Sequence, residues 1–400
     1  MDIYPYISKS NLYQGFLPNN KVIKENFTIT SISEIKVGDK IYVESSKTDQ
    51  VKNVRKFIYR GIIKEIRCKG QIFKIESSEL QSFYVIKKEI RDYCRKKYSK
   101  INLRVLEESV EILKSRQLKK GDMLIIPKHE EIKKGFKLKT KDFIRTFSNY
   151  IRNEIPEILN YSKELFKWFG YYLAEGMILF TSDKRYKKKC RGVSFTININ
   201  EESLLKEIIY SGEHIFGIKP KVIKILTRNA YRINFYNTQL GELIYCLLNT
   251  GSSKKRIHPF LMSAPNELLK ELINGWLKGD GWICNIRDII IGNTTSIELA
   301  NQIYFILINL GELPALGLSA HKNQNRNKAR ESGYFLRHNL YKIRLNKNKN
   351  RSHRKQNRNY VFSPILNTNY KFYNGYIYRL EMKNSCSIQV NYVLANILEI

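Results

Sequence analysis

Two acidic residues, Glu175 and Asp280, occupy matching positions in two similar segments of the chain. Each acid ends a helical pattern in which small residues recur four positions apart, on one face of the helix. These small residues are Gly170 and Ala174 in the first segment and Gly275 and Gly279 in the second. Small residues let two helices approach closely, and packing would bring both carboxylates to the negative ends of two helix dipoles. Because carboxylates are unfavourable there, the pattern favours a divalent cation with a preference for oxygen ligands, such as Mg²⁺.

The net charge of the chain indicates a polyanionic partner. Its 400 residues include 70 Lys and Arg against 37 Asp and Glu, which gives a formal charge of +33 at pH 7. Self-repulsion at this charge opposes compaction, so nucleic acid and an anionic membrane surface both qualify as partners. With 42% hydrophobic and 12% aromatic residues, the chain is too apolar for a disordered basic tail.

No membrane insertion or secretion is expected. No stretch approaches the roughly 18–20 uninterrupted apolar residues of a membrane span, and the first residues lack the layout of a signal peptide. The six Cys and six His show no metal-binding spacing, so a zinc site is not expected and the thiols are expected to stay reduced. We therefore predict an intracellular protein that is not secreted.

The elements that position the two acids form a repeated pattern. Residues 27–127 alternate apolar and polar side chains around Gly-Asp turns, apart from a basic helical stretch near 86–100, and predict a β-rich domain. From about residue 155, helices and strands alternate in two rounds, and the last forty residues return to short strands. The repeat suggests one unit used twice. The predicted domains are residues 1–150, 155–255, 256–358 and 360–400.

Basic residues concentrate after each acidic segment. Residues 321–358 contain thirteen Lys and Arg against the single acid Glu331, and residues 183–192 form a second cluster. Asn, Gln and Tyr are interleaved with them, and this mixture suits both phosphate neutralisation and contacts to base edges. The predicted DNA contacts are Lys184, Arg185, Lys187, Lys188, Lys189, Arg191, Lys322, Arg326, Lys328, Arg330, Arg337, Lys342, Arg344, Lys349, Arg351 and Arg354.

At these residues the chain resembles the LAGLIDADG, or dodecapeptide (DOD-type), homing endonucleases. FGYYLAEGMI (169–178) and NGWLKGDGWI (274–283) match the two family motifs, and the resemblance extends over about 160–350. It implies an α+β fold of two αββαββα subdomains related by a pseudo-two-fold axis. Their sheets would form a β-saddle that holds the major groove of double-stranded DNA. It also implies a monomer with two internal subdomains.

The resemblance assigns roles to individual residues. Glu175 and Asp280 would be the catalytic carboxylates that bind the metal, with the carbonyl groups of Ala174 and Gly279 as auxiliary ligands. Lys347, at the end of the strand aligned with YKIRLNK, would stabilise charge at the scissile phosphate or polarise the attacking water.

The first half departs from this pattern. Asn237 stands where the second half has Lys347, so the two active sites are unequal or another lysine, such as Lys224, serves. The alternative that Lys347 only contacts a phosphate also stays open.

The flanking segments resemble the Hint domain of inteins, with ISEIKVGDKI (32–41) and LKKGDMLIIP (118–127) in its first part and GYIYRLEM (375–382) and NYVLAN (391–396) in its last strands. The endonuclease would then be inserted between two parts of one β-rich domain.

Splicing, however, is expected to be lost. Gln81 stands where inteins carry a histidine, and residues 1–128 contain no His. Ala395, rather than a histidine, precedes Asn396, and no nucleophile follows it. Ser8 and Ser10 lie too far upstream to serve as the first residue of an intein.

The sequence therefore predicts a site-specific, Mg²⁺-dependent DNA endonuclease with a long recognition site. Three alternatives remain: a DNA-binding regulator that does not cut, a splicing-competent intein, and an RNA maturase.

Overall fold

The structure is a computed structural model that describes residues 13–44, 47–98, 103–129, 137–145, 154–181, 189–286, 288–319, 338–348 and 354–397. Within these ranges the chain forms eight α-helices and 22 strands, so the fold is mixed α/β. None of the helices in the described ranges is long and apolar enough to cross a membrane.

The helices are α1 (Lys88–Tyr98), α2 (Leu103–Glu108), α3 (Lys163–Glu175), α4 (Glu202–Phe216), α5 (Thr238–Leu248), α6 (Pro259–Met262), α7 (Asn266–Asp280) and α8 (Ile297–Asn309). The strands before α3 are β1 (Lys21–Ile23), β2 (Ile29–Ser31), β3 (Lys40–Glu44), β4 (Lys47–Cys68), β5 (Ile75–Ser78), β6 (Ser82–Ile86), β7 (Glu111–Lys114), β8 (Met123–Pro127), β9 (Lys137–Lys139) and β10 (Ile158–Asn160). The later strands are β11 (Gly176–Phe180), β12 (Cys190–Asn198), β13 (Lys221–Ile225), β14 (Ala230–Phe235), β15 (Gly281–Cys284), β16 (Ile289–Thr294), β17 (Ala315–Ser319), β18 (Leu340–Asn346), β19 (Lys355–Gln356), β20 (Tyr360–Met382), β21 (Ser387–Val390) and β22 (Val393–Asn396).

The chain divides into two compact units. Unit 1 comprises Met1–Glu130, Leu307–Gly317 and Asn348–Ile400, and unit 2 comprises Glu131–Ile306 and Leu318–Lys347. In sequence, unit 2 therefore separates two large parts of unit 1.

Unit 1 is built on a 12-stranded sheet whose main path runs β2-β1-β21-β22-β6-β8-β20-β4-β3. Its longest pairing joins β4 to β20. One of its cores packs Ile86, Met123 and Phe362 against Cys94 of the basic helix α1. The helical stretch predicted near 86–100 is thus present, and its apolar side chain anchors it to the sheet.

Helices α3 and α7 are each followed by a four-stranded sheet, and the two sheets have the same order of strands. The first runs β11-β12-β14-β13 and the second β15-β16-β18-β17. Each sheet follows one of the helices α3 and α7 directly in sequence, and each has a helix, α4 or α8, between its second and third strands. Helix α5 follows the first sheet, whereas residues 349–353, after the second sheet, lie outside the described residues.

Local sequence signals explain the bounds of α3. Its first residue is Lys163, because the Ser162 side chain accepts a hydrogen bond from the Leu165 backbone amide and caps the helix. The pattern from about residue 155 predicts an earlier start, but residues 158–160 instead pair with β9. The helix ends at Glu175 and strand β11 begins at once with Gly176, whose φ of −83° suits any residue. Glycine is required there for space, since a side chain would overlap the Tyr172 ring.

Candidate active site at the ends of two packed helices

Helices α3 and α7 pack against each other through their glycines. A methyl group added at Gly170 would overlap the Leu272 carbonyl oxygen and lie 2.6 Å from the Trp276 backbone nitrogen. One added at Gly275 would overlap the Lys167 carbonyl oxygen in the same way. The backbones thus touch at these two positions, and the close approach predicted from the small residues is present.

The packing brings Glu175 next to the end of α7. A methyl group at Gly279 would lie 2.6 Å from the Ala174 Cβ and 3.2 Å from the Glu175 Cγ. Both Glu175 and Asp280 are half-buried, and each is the last residue of its helix. The two predicted carboxylates are therefore neighbours at the carboxyl ends of α3 and α7.

Burial makes ionisation of both carboxylates unfavourable. It raises the pKa of Asp280 to about 7, with a further upward contribution from the charge of Glu175 and an opposing one from Lys255. Burial also raises the pKa of Glu175, again against the charge of Lys255. Titrating groups with strongly shifted pKa values are characteristic of functional sites.

Lys255 is a functional candidate that the sequence analysis missed. Its side chain is 6% exposed, and Nζ donates hydrogen bonds to the carbonyl oxygens of Leu173 (2.9 Å) and Ala174 (3.0 Å). A cation at the carboxyl end of α3 satisfies carbonyl groups that have no partner inside the helix. Burial lowers the pKa of Lys255 to about 8, although Asp280 and Glu175 both favour its charged form.

The segment around Lys255 is fixed by hydrogen bonds to α8. The Ile257 backbone amide donates to Gln302 Oε1 (2.8 Å), and Gln302 Nε2 donates back to the Ile257 carbonyl oxygen (2.7 Å). The Lys255 carbonyl oxygen accepts a bond from Ser296 Oγ (2.7 Å). The neighbouring Lys254 is exposed. Two adjacent lysines therefore differ completely in environment. The only feature of the sequence that could have indicated a buried lysine here is the position of the pair before the apolar segment 257–262.

Glu207 of α4 connects both motif helices and was also missed. It accepts hydrogen bonds from Tyr171 of α3 and Lys278 of α7, and its carboxylate lies 3.2 Å from Lys167 Nζ. Its pKa is lowered to about 2, because these hydrogen bonds and charges outweigh the effect of its burial. Glu207 therefore holds α3 and α7 in register. Among the described residues, its hydrogen bonds and ion pairs involve neither Glu175 nor Asp280.

The donor groups suit a hard divalent cation. Among the described residues, no group of three or more His, Cys, Asp or Glu side chains is placed to hold a metal. Mg²⁺, however, is commonly bound by one or two carboxylates completed by water and substrate phosphates. Glu175 and Asp280 offer the carboxylates, and the Ala174 carbonyl oxygen already accepts a hydrogen bond from Lys255. The set of donors fits Mg²⁺ together with a bound phosphate.

Lys347 lies away from Glu175 and Asp280. Gly281, directly after Asp280, pairs with Gly292, which pairs with Ile343. Lys347 is four residues further along the chain, about 13 Å at the rise of a strand. Its Nζ lies 3.6 Å from Asp288 Oδ1. The structure therefore does not bring Lys347 together with the two acids, and its catalytic role stays a prediction.

The equivalent positions in the first half have different surroundings. The Asn237 side chain accepts a hydrogen bond from the Leu240 backbone amide (2.9 Å) and caps α5, which explains why a lysine is absent there. Lys224, the alternative, is exposed on β13.

The predicted DNA contacts divide into three groups. Lys189, Arg191 and Arg344 are exposed on or beside β12 and β18, and Lys342 is half-buried on β18. Arg354, in contrast, is 2% exposed and donates a hydrogen bond to the Pro314 carbonyl oxygen, so it is not on the surface. The remaining predicted contacts lie outside the described residues: Lys184, Arg185, Lys187, Lys188, Lys322, Arg326, Lys328, Arg330, Arg337, Lys349 and Arg351.

In unit 1 the structure brings together two residues singled out for splicing. Gln81 Nε2 donates to the Asn396 carbonyl oxygen (2.7 Å) and to the Ser82 carbonyl oxygen (3.1 Å), and all three residues are buried. Asn396 lies on β22, which pairs with β6 beside Gln81. An amide thus occupies the place in the fold where the resemblance to inteins implies a histidine.

Comparisons with known proteins give partial likenesses. No family model matches the chain. It is 23% identical over 407 residues to the uncharacterized protein MJ0043 of Methanocaldococcus jannaschii, covering 92% of this chain and 48% of that protein. It is 24% identical over 257 residues to the ATP-dependent DNA helicase Hel308 of Thermococcus kodakarensis, covering 60% of this chain and 22% of the helicase. The chain thus spans about half of the first relative and about a fifth of the second.

Two solved structures are similar in part. The homing endonuclease I-DmoI in complex with DNA and Mn matches with a TM-score of 0.34 and 13% identity, covering 46% of this chain and 90% of I-DmoI. The gp41-1 intein matches with a TM-score of 0.19 and 18% identity, covering 28% of this chain and 69% of the intein. The structural neighbours thus include a homing endonuclease and an intein, both at low TM-scores.

Proposed function

We propose that the chain is a site-specific, double-strand DNA endonuclease of the LAGLIDADG homing type. The observation that carries this proposal is the pair of half-buried carboxylates, Glu175 and Asp280, at the adjoining ends of α3 and α7. Both acids follow from the two matched motifs, and the charge of +33 suits a DNA substrate. Since one chain carries both motifs, it would act as a monomer.

Glu175 and Asp280 would hold Mg²⁺, with the carbonyl oxygen of Gly279 as an auxiliary ligand. The carbonyl oxygen of Ala174, the other auxiliary ligand that the resemblance implies, accepts the hydrogen bond of the Lys255 ammonium group. When bound, the metal would supply Lewis-acid stabilisation of the phosphate and activation of a water molecule. Glu175 and Asp280 must be ionised to bind it, and their raised pKa values mean that binding would release protons.

Lys255 would supply positive charge close to the reacting phosphate. Its ammonium group is held by the Leu173 and Ala174 carbonyl oxygens, so it is preorganised rather than mobile. Lys347 remains a further proposed contributor, either at a scissile phosphate or as a phosphate contact outside the active site.

The outer faces of the two sheets would hold the DNA as a saddle, with the halves related by a pseudo-two-fold axis. Directly paired residues of antiparallel strands share a face, and Thr196 and Arg232 form such an outward pair in the first sheet. Asn293 and Lys342 form the equivalent pair in the second. Lys189, Arg191 and Arg344 would add phosphate or base contacts.

Residues 1–150 and 360–400 would form a Hint-like domain that has lost splicing, with residues 155–255 and 256–358 as the two inserted subdomains. Gln81 supports this, because its amide contacts the Asn396 carbonyl oxygen but cannot transfer a proton as a histidine would. Expression between two affinity tags, followed by mass spectrometry, tests it: ligated tags would contradict the proposed loss.

Cleavage-site selection tests the nuclease. The full chain would be incubated with a library of randomised duplexes and Mg²⁺, with EDTA as the control, and the new ends sequenced. We expect Mg²⁺-dependent cuts on both strands at one long site. Binding of a specific site without cleavage of any library member would instead identify a DNA-binding regulator, and cleavage of RNA alone would point to a maturase.

A further inference from the structure

Strands β4 and β20 of unit 1 form a long two-stranded ribbon. Their pairing runs from Val51 opposite Met382 to Cys68 opposite Ile365. In its middle section, from Lys56 to Ile62 on β4, the described strands β3 and β5 do not pair with β4. This section is about 20 Å long at the rise of a strand.

One face of the ribbon packs against the rest of unit 1. Tyr59, Ile63 and Ile377 are almost fully buried and form a core with Leu17. Because side chains alternate along a strand, the residues between them point to the opposite face. An antiparallel sheet with one buried face normally carries polar side chains on the other.

The opposite face of the middle section is instead largely apolar and basic. We call it the ribbon face, and by register it consists of Lys56, Ile58, Arg60 and Ile62 on β4 and Phe372, Asn374, Tyr376 and Tyr378 on β20. Ile58 is 71% exposed and lies opposite Tyr376, while Phe372 is 60% exposed and lies opposite Ile62. Two exposed aromatic rings therefore stand on β20 with an aliphatic neighbour each.

The charge of the ribbon face indicates what kind of partner it would bind. Lys56 Nζ lies 3.8 Å from the centre of the Tyr376 ring, and Arg60 is exposed between the two aromatic pairs. The acids of the ribbon, Glu65 and Glu381, fall on the packed face by register and pair with Lys371 and Arg55. Within the described ribbon, its outer face therefore carries basic residues without an acidic one.

These features suit unpaired bases. A second copy of the chain on this face would bring Lys56 of each copy against a face of like charge. The apolar side chains lie in the middle of strands rather than at a protruding loop, which disfavours insertion into a membrane. Aromatic rings flanked by cations, in contrast, are the combination on which single-stranded nucleic acids stack and neutralise their phosphates.

We propose that the ribbon face binds a single-stranded segment of nucleic acid. Phe372 and Tyr376 stack on successive bases, and Lys56 and Arg60 contact the phosphates. This binding does not depend on the proposed nuclease site, which lies in unit 2, so either assignment can fail while the other stands.

Photo-crosslinking tests the proposal. The full chain would be mixed with a labelled 12-nucleotide oligo(dT) in about 0.3 M salt, which weakens binding that depends only on phosphate charge. Irradiation and peptide mapping would locate the crosslinks, and fluorescence anisotropy would give the affinity. The double variant F372A/Y376A would be compared with Y210A, in which an exposed tyrosine of α4 is removed. A duplex of the same length serves as the second ligand.

We expect crosslinks at Phe372 or Tyr376 and a loss of oligo(dT) affinity of about 5- to 150-fold for each ring removed. Y210A should bind like the wild type, and cleavage of duplex DNA by F372A/Y376A should be unchanged. The proposal would be overturned if the crosslinks were confined to other regions, or if F372A/Y376A lost as much affinity for the duplex as for oligo(dT). It would also be overturned if the wild type were a dimer and F372A/Y376A a monomer. Binding to anionic vesicles that is lost in the same variant would also overturn it. Matching melting temperatures of the variants exclude unfolding as the cause.

Discussion

The two halves of unit 2 agree at the contact between their helices and differ on the outer faces of their sheets. At the contact between α3 and α7, Gly170 and Gly275 occupy equivalent positions, since a methyl group on either would overlap a carbonyl oxygen of the other helix. On the outer faces of the sheets the equivalent positions have diverged. Ser194 and Asn234 in the first sheet correspond by register to Ile291 and Arg344 in the second.

The divergence changes what each sheet offers to a partner. Ser194 Oγ donates to Asn234 Oδ1 (2.7 Å), and Asn234 Nδ2 donates to the Tyr236 hydroxyl (3.0 Å), so these polar groups are occupied internally. Arg344 is exposed instead. The helix contact tolerates little change because the backbones touch, whereas the outer faces are free to vary. An asymmetric DNA site would fit the two unlike faces.

The largest expected effect concerns the two acids. E175Q and D280N should each lower the rate of DNA cleavage at least about 1000-fold, because each removes a carboxylate that would hold the metal. Binding to the same DNA should persist. Quantifying products on each strand sharpens the comparison of the halves: retained cutting of both strands by either variant would refute the role of that acid.

The helix contact gives the next largest effect. G170A and G275A should each lower the free energy of unfolding by about 3 kcal/mol or more, since a backbone carbonyl group must move. G279A should cost less, because its new methyl group would meet the Ala174 and Glu175 side chains. Denaturant unfolding measures all three. A large difference between G170A and G275A would break the equivalence of the two halves.

The hydrogen bonds from Lys255 to α3 distinguish the first half of unit 2 from the second. K255M should lower the free energy of unfolding by about 1–3 kcal/mol, because it leaves two buried carbonyl groups without their donor. We also expect it to reduce cleavage strongly. The matched control is K254M, which alters an exposed neighbour and should leave both quantities unchanged. Equal behaviour of the two variants would show that burial of Lys255 has no functional consequence.

The pH dependence of the free energy of unfolding should reveal the raised pKa of Asp280. Its pKa in the folded chain is raised to about 7 from a usual value of 3.8, so the folded state binds the proton more tightly than the unfolded state. The contribution of Asp280 to stability is therefore fully present below about pH 4 and is lost as the pH rises through 7. Between pH 5 and pH 8, the free energy of unfolding of D280N should therefore rise relative to that of the wild type by at least about 1 kcal/mol. A constant difference over this range would contradict the raised pKa.

The smallest effects concern the outer faces. R232A and K342A, at equivalent positions of the two sheets, should each reduce the slope of log affinity against log salt by about 1 if both contact phosphates. Anisotropy titrations with the selected DNA site measure the slopes. A change for K342A alone would show that the second sheet carries more of the electrostatic contact.

Much of the site was predictable because its signals are local. The spacing of Gly170, Ala174, Gly275 and Gly279 indicated a close helix pair, and the acids at the helix ends followed from the same pattern. Lys255 was not predictable, because nothing in the sequence distinguishes it from Lys254. Arg354 was expected on a basic surface, yet the fold uses it to hold the Pro314 carbonyl oxygen.

The sequence by itself determined which helix faces are small enough to meet and which residues end those helices, since both depend on the periodicity of a single element. The tertiary structure decided which cation lies beside the acids, which lysine stays in solvent, and that an aromatic face of a ribbon is exposed. These properties depend on contacts between residues far apart in the chain. Burial, and the shifts in pKa that follow from it, exist only once those contacts have formed.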